Sequence, residues 1–178
     1  MKNGEKGYIQ IYTGNGKGKT TAALGLAVRA AGHGFRSYIG QFLKGQKYGE
    51  LKSLKLLSQF ITIKQFGRSG FIHVNSSDPD EADIKKAKQG LEECREAMLS
   101  KDYKIIILDE INVCVHFHLL SEKEIIEFLD QKPLGIEIVL TGRYAPESFI
   151  KRADLVTRMD EIKHYYNKKI PARRGIER

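Results

Sequence analysis

The chain has 178 residues, 41% hydrophobic and 29% charged, with a formal net charge of +8. That length suits one domain with a proper core, and neither a membrane-length apolar run nor a signal core in MKNGEKG is present, so a cytoplasmic protein is expected. Cys94 and Cys114 lie far apart and form no C-x-x-C, which excludes a disulfide framework and a cysteine zinc site.

The first predicted element is a strand at Tyr8 to Tyr12, where apolar residues alternate. It runs into TGNGKGKTT at 13–21, with glycines at 14, 16 and 18, and then into an alanine-rich helix. Strand, glycine loop and helix in that order make a phosphate-binding P-loop. The glycines let backbone N–H groups turn inward around phosphate oxygens, and the helix N-terminus adds partial positive charge. Lys19 would neutralise outer phosphates and Thr20 would offer a hydroxyl to Mg2+. The strict pattern G-x-x-x-x-G-K-[ST] requires glycine at 13, where this chain has Thr13.

The helix over 21–31 is small or apolar nearly throughout, which predicts burial on most sides. Gly32 and Gly34 end it. Strands follow at Arg36–Leu43 and Phe60–Phe66, with a short helix at Glu50–Ser58 between them. After a loop over 67–77, a long helix is expected to open with Ser77 or Asp78 as cap and Pro79 in the first turn. Its stripe of Ile84, Ala87, Leu91, Cys94 and Met98 places Cys94 in the core. Tyr103–Glu110 (YKIIILDE) reads as a strand buried on both faces, ending in two acids. Asp109 and Glu110 would then lie beside the phosphate loop and hold magnesium, as a Walker B carboxylate does.

Ser121 and Glu124 form a capping box for a helix to about Gln131. A strand at Ile136–Thr141 ends in Gly142-Arg143, and Arg143 either reaches phosphate or makes a surface ion pair. A helix from Ala145-Pro146 through Arg152 and a strand at Asp154–Met159 complete the pattern. His116 and His118 have no evident third ligand for a metal. Residues 78–130 carry fourteen acids against seven basic residues, whereas 164–178 carry five basic residues against Glu177 alone. An anionic partner near the chain ends is expected, either nucleic acid or a nucleotide polyphosphate. Alternating strands and helices predict a doubly wound α/β sheet of five or six mostly parallel strands. With the glycine loop, that is a three-layer P-loop NTPase (RecA-like) fold: one nucleotide-binding domain over 1–178, with a basic tail from about 160.

In chain order, TGNGKGKTTAALG (13–25), GQFLKG (40–45), ILDE (107–110), LTGR (140–143), Lys163-His164 and RRGIE (173–177) resemble the ATP:corrinoid adenosyltransferases of vitamin B12 metabolism. The shifted glycine loop is typical of that family. The resemblance implies that a corrinoid's cobalt(I) attacks the 5′ carbon of ATP and triphosphate leaves intact, so no protein nucleophile is needed. By the same resemblance Gly14, Asn15, Gly16, Lys17, Gly18, Lys19, Thr20 and Thr21 grip the triphosphate. Lys17, Lys19 and Arg143 supply positive charge, and Thr20 and Glu110 hold magnesium with Asp109 in support. The family's Phe-x-Trp pair, which packs near the cobalt and helps remove its lower ligand, corresponds to Phe71 and His73, histidine standing in place of tryptophan. The resemblance further implies a homodimer in the cytoplasm, served by an electron-donating reductase or flavoprotein. An N-terminal extension that covers the site in longer relatives is not expected here, since the chain begins seven residues before its first strand. The other readings are a P-loop ATPase or small-molecule kinase and a RecA-like nucleic-acid-binding module. The last is weakened because the basic tail has few aromatics beyond Tyr165 and Tyr166.

Overall fold

A computed structural model describes residues 6–68 and 79–177. Among them six strands form one sheet: β1 (Ile9–Thr13), β2 (Ser37–Phe42), β3 (Ile61–Phe66), β4 (Ile105–Asp109), β5 (Glu137–Thr141) and β6 (Leu155–Arg158). The order across the sheet is β3-β2-β4-β5-β1-β6, and every pairing is parallel. The helices are α1 (Lys19–Ala31), α2 (Gly49–Leu54), α3 (Glu81–Leu99), α4 (Ile111–His116), α5 (Glu122–Asp130) and α6 (Glu147–Arg152). A parallel sheet needs a crossover between neighbours, and these helices supply it, covering both faces.

The period-2 alternation of strand side chains separates two cores. In β4, Ile106 and Leu108 join a core with α3, α4, α5 and α6 that includes Leu91, Met98, Phe128 and Phe149. Ile105 and Ile107 face the other way, against Ala23, Ala27, Ala30 and Ala31 of α1. The double-sided burial that the run IIIL predicts is therefore realised. Helix α1 departs from expectation, because apart from Lys19 at its start only that alanine stripe is buried, and Val28 is 46% exposed. It lies in an outer layer, where a single face meets the sheet.

Two further elements differ from the sequence reading. Helix α3 begins at Glu81 rather than around Pro79, because Asp80 is the cap: its side chain accepts from the Ala82 N–H at 2.8 Å. Arg68 holds the same turn by donating to Asp80 and Asp83, each at 2.7 Å. Helix α4 was not foreseen, since INVCVH is rich in β-branched residues that favour strands. Glu110 makes the helix possible by taking a left-handed conformation (φ 65°) that turns the chain directly after β4. The capping box of α5 is formed in both directions, between Ser121 and Glu124.

Helix α3 packs very close to the sheet. A Cβ on Gly90 would stand 2.5 Å from the Phe66 ring, and one on Gly40 would stand 2.6 Å from Cys94 Sγ. Alanine at 90 would gain about 1 kcal/mol of helix propensity, whereas overpacking a core contact costs about 1–3 kcal/mol. The second effect is expected to win. Gly90→Ala should lower the urea midpoint without changing the m-value; a raised midpoint would show that Phe66 yields freely.

Candidate active site

The phosphate loop explains its own irregular spacing. Thr13 is still part of β1, paired with Arg158 of β6, so the turn begins one residue later. Gly14 then takes φ 95°, and any Cβ there would meet the Met159 carbonyl oxygen at 2.4 Å. The Gly16 N–H donates to that same carbonyl at 2.7 Å, seating the loop on the exit of β6. At the start of α1, Lys19 folds back and donates to the carbonyls of Gly14 and Gly16, both at 2.7 Å. Burial lowers the Lys19 pKa; Arg143 acts in the same direction, and Glu110 and Asp109 oppose them.

The parallel register carries polar side chains into one row at the carboxyl edge of the sheet. Gln65 of β3, Gln41 of β2 and Asp109 of β4 are register partners. Gln65 Nε2 donates to Gln41 Oε1 at 3.1 Å, and Gln41 Nε2 donates to Asp109 Oδ2 at 3.3 Å. From the other side, Thr141 at the end of β5 donates to Asp109 Oδ1 at 2.7 Å and accepts from the Glu110 N–H at 3.0 Å. Thr20 of α1 donates to the same Oδ1 at 2.8 Å. Asp109 is 1% exposed, and its four donors fix both carboxylate oxygens.

The fourth donor is Lys44, 2.7 Å from Asp109 Oδ2 and 3.3 Å from Thr20 Oγ1. Burial alone would lower its pKa, but Asp109 beside it, with Glu110 and Glu50 beyond, raises it above the ordinary lysine value. Glu110 is shifted the other way for a carboxylate. Burial raises its pKa and Asp109 adds to this, against Lys44, Lys19 and Arg143. Among the described residues no hydrogen bond reaches the Glu110 carboxylate, which lines the cleft.

Arg143 follows Gly142 (φ 126°) and donates to the Asn15 carbonyl at 3.3 Å. Among the described residues it makes no ion pair, so the surface pairing considered from sequence is not what places it. Asn112 of α4 holds this turn by donating to the Gly142 carbonyl at 3.1 Å. Lys17 points away from the loop, donating to Glu177 at 2.9 Å and to the Ile176 carbonyl and Tyr165 hydroxyl at 3.1 Å. Tyr165 and Arg173 also donate to Glu177, whose pKa these hydrogen bonds hold far below the usual carboxylate range, with the Arg173 bond the largest cause. Glu177, the one acid of residues 164–178, thus fastens that segment to the phosphate loop. Glu177→Gln is expected to speed amide exchange of residues 164–177 by roughly two- to fivefold, the scale of an exposed charged contact. Unchanged exchange would show that other contacts hold the tail.

These groups border one cleft of about 950 Å³. Its polar lining includes Asn15 to Thr21, Lys44, Glu110 and Arg143, and its apolar lining includes Leu24, Tyr48, Val113, Phe117 and Tyr144. Gly14 and Asp109 lie just beneath, at the start of the loop and the end of β4. Phe71 and His73 lie outside the described residues. His116 stacks on Tyr144 with ring centroids 4.0 Å apart. Sequence reasoning missed Lys44, Thr141 and Glu177 as members of the site. For Thr141 the available signal was that four apolar strands turn polar near their carboxyl ends, in SYIGQF, ITIKQF, IIILD and EIVLT.

Comparison with known proteins gives consistent matches. Residues 5–178 match the family described as "ATP:corrinoid adenosyltransferase BtuR/CobO/CobP". A corrinoid adenosyltransferase of Sinorhizobium sp is 35% identical over 178 residues, covering 99% of this chain and 82% of that one. Its counterpart in Escherichia coli K12 is 30% identical over 174 residues, covering 97% and 86%. Among solved structures, the flagellar accessory protein FlaH of Methanocaldococcus jannaschii superposes with a TM-score of 0.59 over 86% of this chain and 71% of its own. At 16% identity that likeness bears on the fold alone.

Proposed function

The chain belongs to the ATP:corrinoid adenosyltransferase family, and from that membership we propose how its cleft carries the family's reaction: transfer of the 5′-deoxyadenosyl group of ATP to the cobalt(I) of a corrinoid. In that reaction the cobalt electron pair forms a bond to C5′, the C5′–O bond breaks, and its electron pair leaves on triphosphate. The chain's two thiols, Cys94 and Cys114, are buried, and burial pushes both pKa values up, so neither supplies a thiolate to the cleft. A nucleophile brought by the second substrate suits such a site.

The observation that carries the reading is the convergence of Lys19, Arg143, Thr20 and the Asp109–Glu110 pair on one cleft. Gly14 to Thr21 would hold the triphosphate through backbone N–H groups. Lys19 would exchange the carbonyls of Gly14 and Gly16 for phosphate oxygens, and Arg143 would stabilise the charge that grows as C5′–O breaks. Lys17 would contribute once released from Glu177. The apolar lining residues Leu24, Tyr48, Phe117 and Tyr144 would contact the nucleoside and help keep water from C5′.

Thr20 Oγ1, Asp109 and Glu110 are hard oxygen donors of the kind Mg2+ takes, and the place already accommodates a cation, the Lys44 ammonium. Bound there, Mg2+ would supply further neutralisation of the leaving triphosphate. The reading extends to a single nucleotide-binding domain acting as a homodimer in the cytoplasm, with a reductase or flavoprotein delivering the electron. No helix among the described residues is long and apolar enough to cross a membrane. Phe71 would pack against the corrinoid.

The test is incubation with ATP, magnesium and chemically reduced cobalamin, following the corrinoid spectrum and the phosphate products. Adenosylated corrinoid with equimolar triphosphate is expected; ADP formed regardless of corrinoid would reject this reading for a kinase or ATPase.

A further inference from the structure

Lys44 is delivered to the site by a backbone built for little else. Leu43 before it adopts φ 59°, a left-handed conformation that a leucine rarely takes. The turn is clamped on its far side. A Cβ on Gly45 would stand 2.3 Å from the Arg68 carbonyl oxygen, and one on Gly67 would stand 2.5 Å from the Lys44 nitrogen. Arg68 is in turn fixed by Asp80 and Asp83. The clamped turn aims the ammonium between Asp109 Oδ2 and Thr20 Oγ1, and the side chain is only 16% exposed.

Those two side chains are also, with Glu110, the ones assigned above to a divalent cation. An ammonium and a divalent ion a few ångströms apart in a largely buried site repel strongly, so they do not share these oxygens. We propose that Lys44 is a positioning residue that occupies the cation place of the nucleotide-free site and is displaced when the divalent ion binds. Its role is twofold. Without nucleotide it keeps the buried Asp109 carboxylate paired and Thr20 oriented. Once displaced, the tethered ammonium turns to the cleft it already lines and joins Lys19 in facing the triphosphate. The divalent ion therefore binds weakly by itself and well in company with the phosphates that receive Lys44. This inference rests on the magnesium position proposed above.

The test is titration of nucleotide-free protein with Mn2+, read by the electron paramagnetic resonance of free Mn2+, for wild type and Lys44→Met. The variant is expected to bind Mn2+ at least about tenfold more tightly than wild type, while its affinity for ATP falls. Equal, measurable Mn2+ affinities would overturn the displacement and leave the metal position standing. Binding by neither protein would overturn the displacement, and Mn2+ binding to wild type in the presence of ATP then decides the metal position separately. If Lys44→Met does not fold, wild type decides the question. Acetylation of Lys44, mapped by peptide mass spectrometry, is expected to quicken several-fold when Mn2+ is added, and an unchanged rate would overturn the proposal.

Discussion

Lys19→Ala is expected to lower kcat/KM for ATP by about two to three orders of magnitude, the usual effect of removing one donor from a leaving-group cradle. The residue is 8% exposed, at the N-terminus of α1, and among the described residues its ammonium donates to the carbonyls of Gly14 and Gly16 alone. Burial depresses its pKa, so the charge is held there at some cost to the fold. Removing it should therefore leave the melting temperature within a few degrees of wild type. A fall in kcat would locate its action in the transition state, whereas a rise in KM alone would mean that it grips substrate and transition state alike. Arginine at 19 is not expected to rescue, because its larger planar head cannot fit between two carbonyls each 2.7 Å from the ammonium. Adenosylation rates with chemically reduced corrinoid decide the matter, and a variant within tenfold of wild type would remove Lys19 from the mechanism.

The two adjacent acids are expected to separate stability from catalysis. Asp109→Asn turns one of two acceptor oxygens into a donor in a pocket where four groups donate, and leaves a largely buried ammonium without its carboxylate. Breaking one partner of such a pair costs about 3–5 kcal/mol. At about 2–4 °C per kcal/mol for a chain of this size, the melting temperature should fall by roughly 6–20 °C. Glu110→Gln removes a carboxylate that burial already disfavours and that no described hydrogen bond fixes, so its fold should hold. Its adenosylation rate should nonetheless drop by at least about a hundredfold, as the site loses a negative group at the cation position proposed above. Equal melting temperatures for the two variants would show that the row of side chains around Asp109 carries little of the fold's stability.

Much of this was legible in the sequence because it is local. The run IIIL of β4, the loop GNGKGKTT and the box Ser121–Glu124 each declare an element within a few residues. The rest depends on which strands become neighbours. Thr141 reads as an ordinary strand end until β5 is set beside β4, where it becomes a donor to Asp109. Lys44 sits in a polar loop whose direction is decided by a left-handed leucine and by contacts with Gly67 and Arg68, none of which periodicity reveals. Helix α4 was hidden by β-branched residues whose strand preference the tertiary structure overrides. The first glycine was displaced because β1 runs one residue further than the motif assumes.

The seating of the phosphate loop also bears on how the protein spends its binding energy. The loop leaves β1, rests on Met159 beyond β6, passes the end of β5 and returns to β4 through Thr20 and Asp109. Its reach from β1 to β4 is two inter-strand steps, roughly 10 Å, and the hydrogen bonds of the sheet maintain that width whether or not nucleotide is present. The backbone spacing of the cradle is thus set by the sheet before substrate arrives, and only side chains such as Lys17, Lys19 and Lys44 are left to rearrange. Little conformational entropy then remains to be lost by the protein on binding, so the interactions made with ATP can be directed almost wholly at restraining ATP itself.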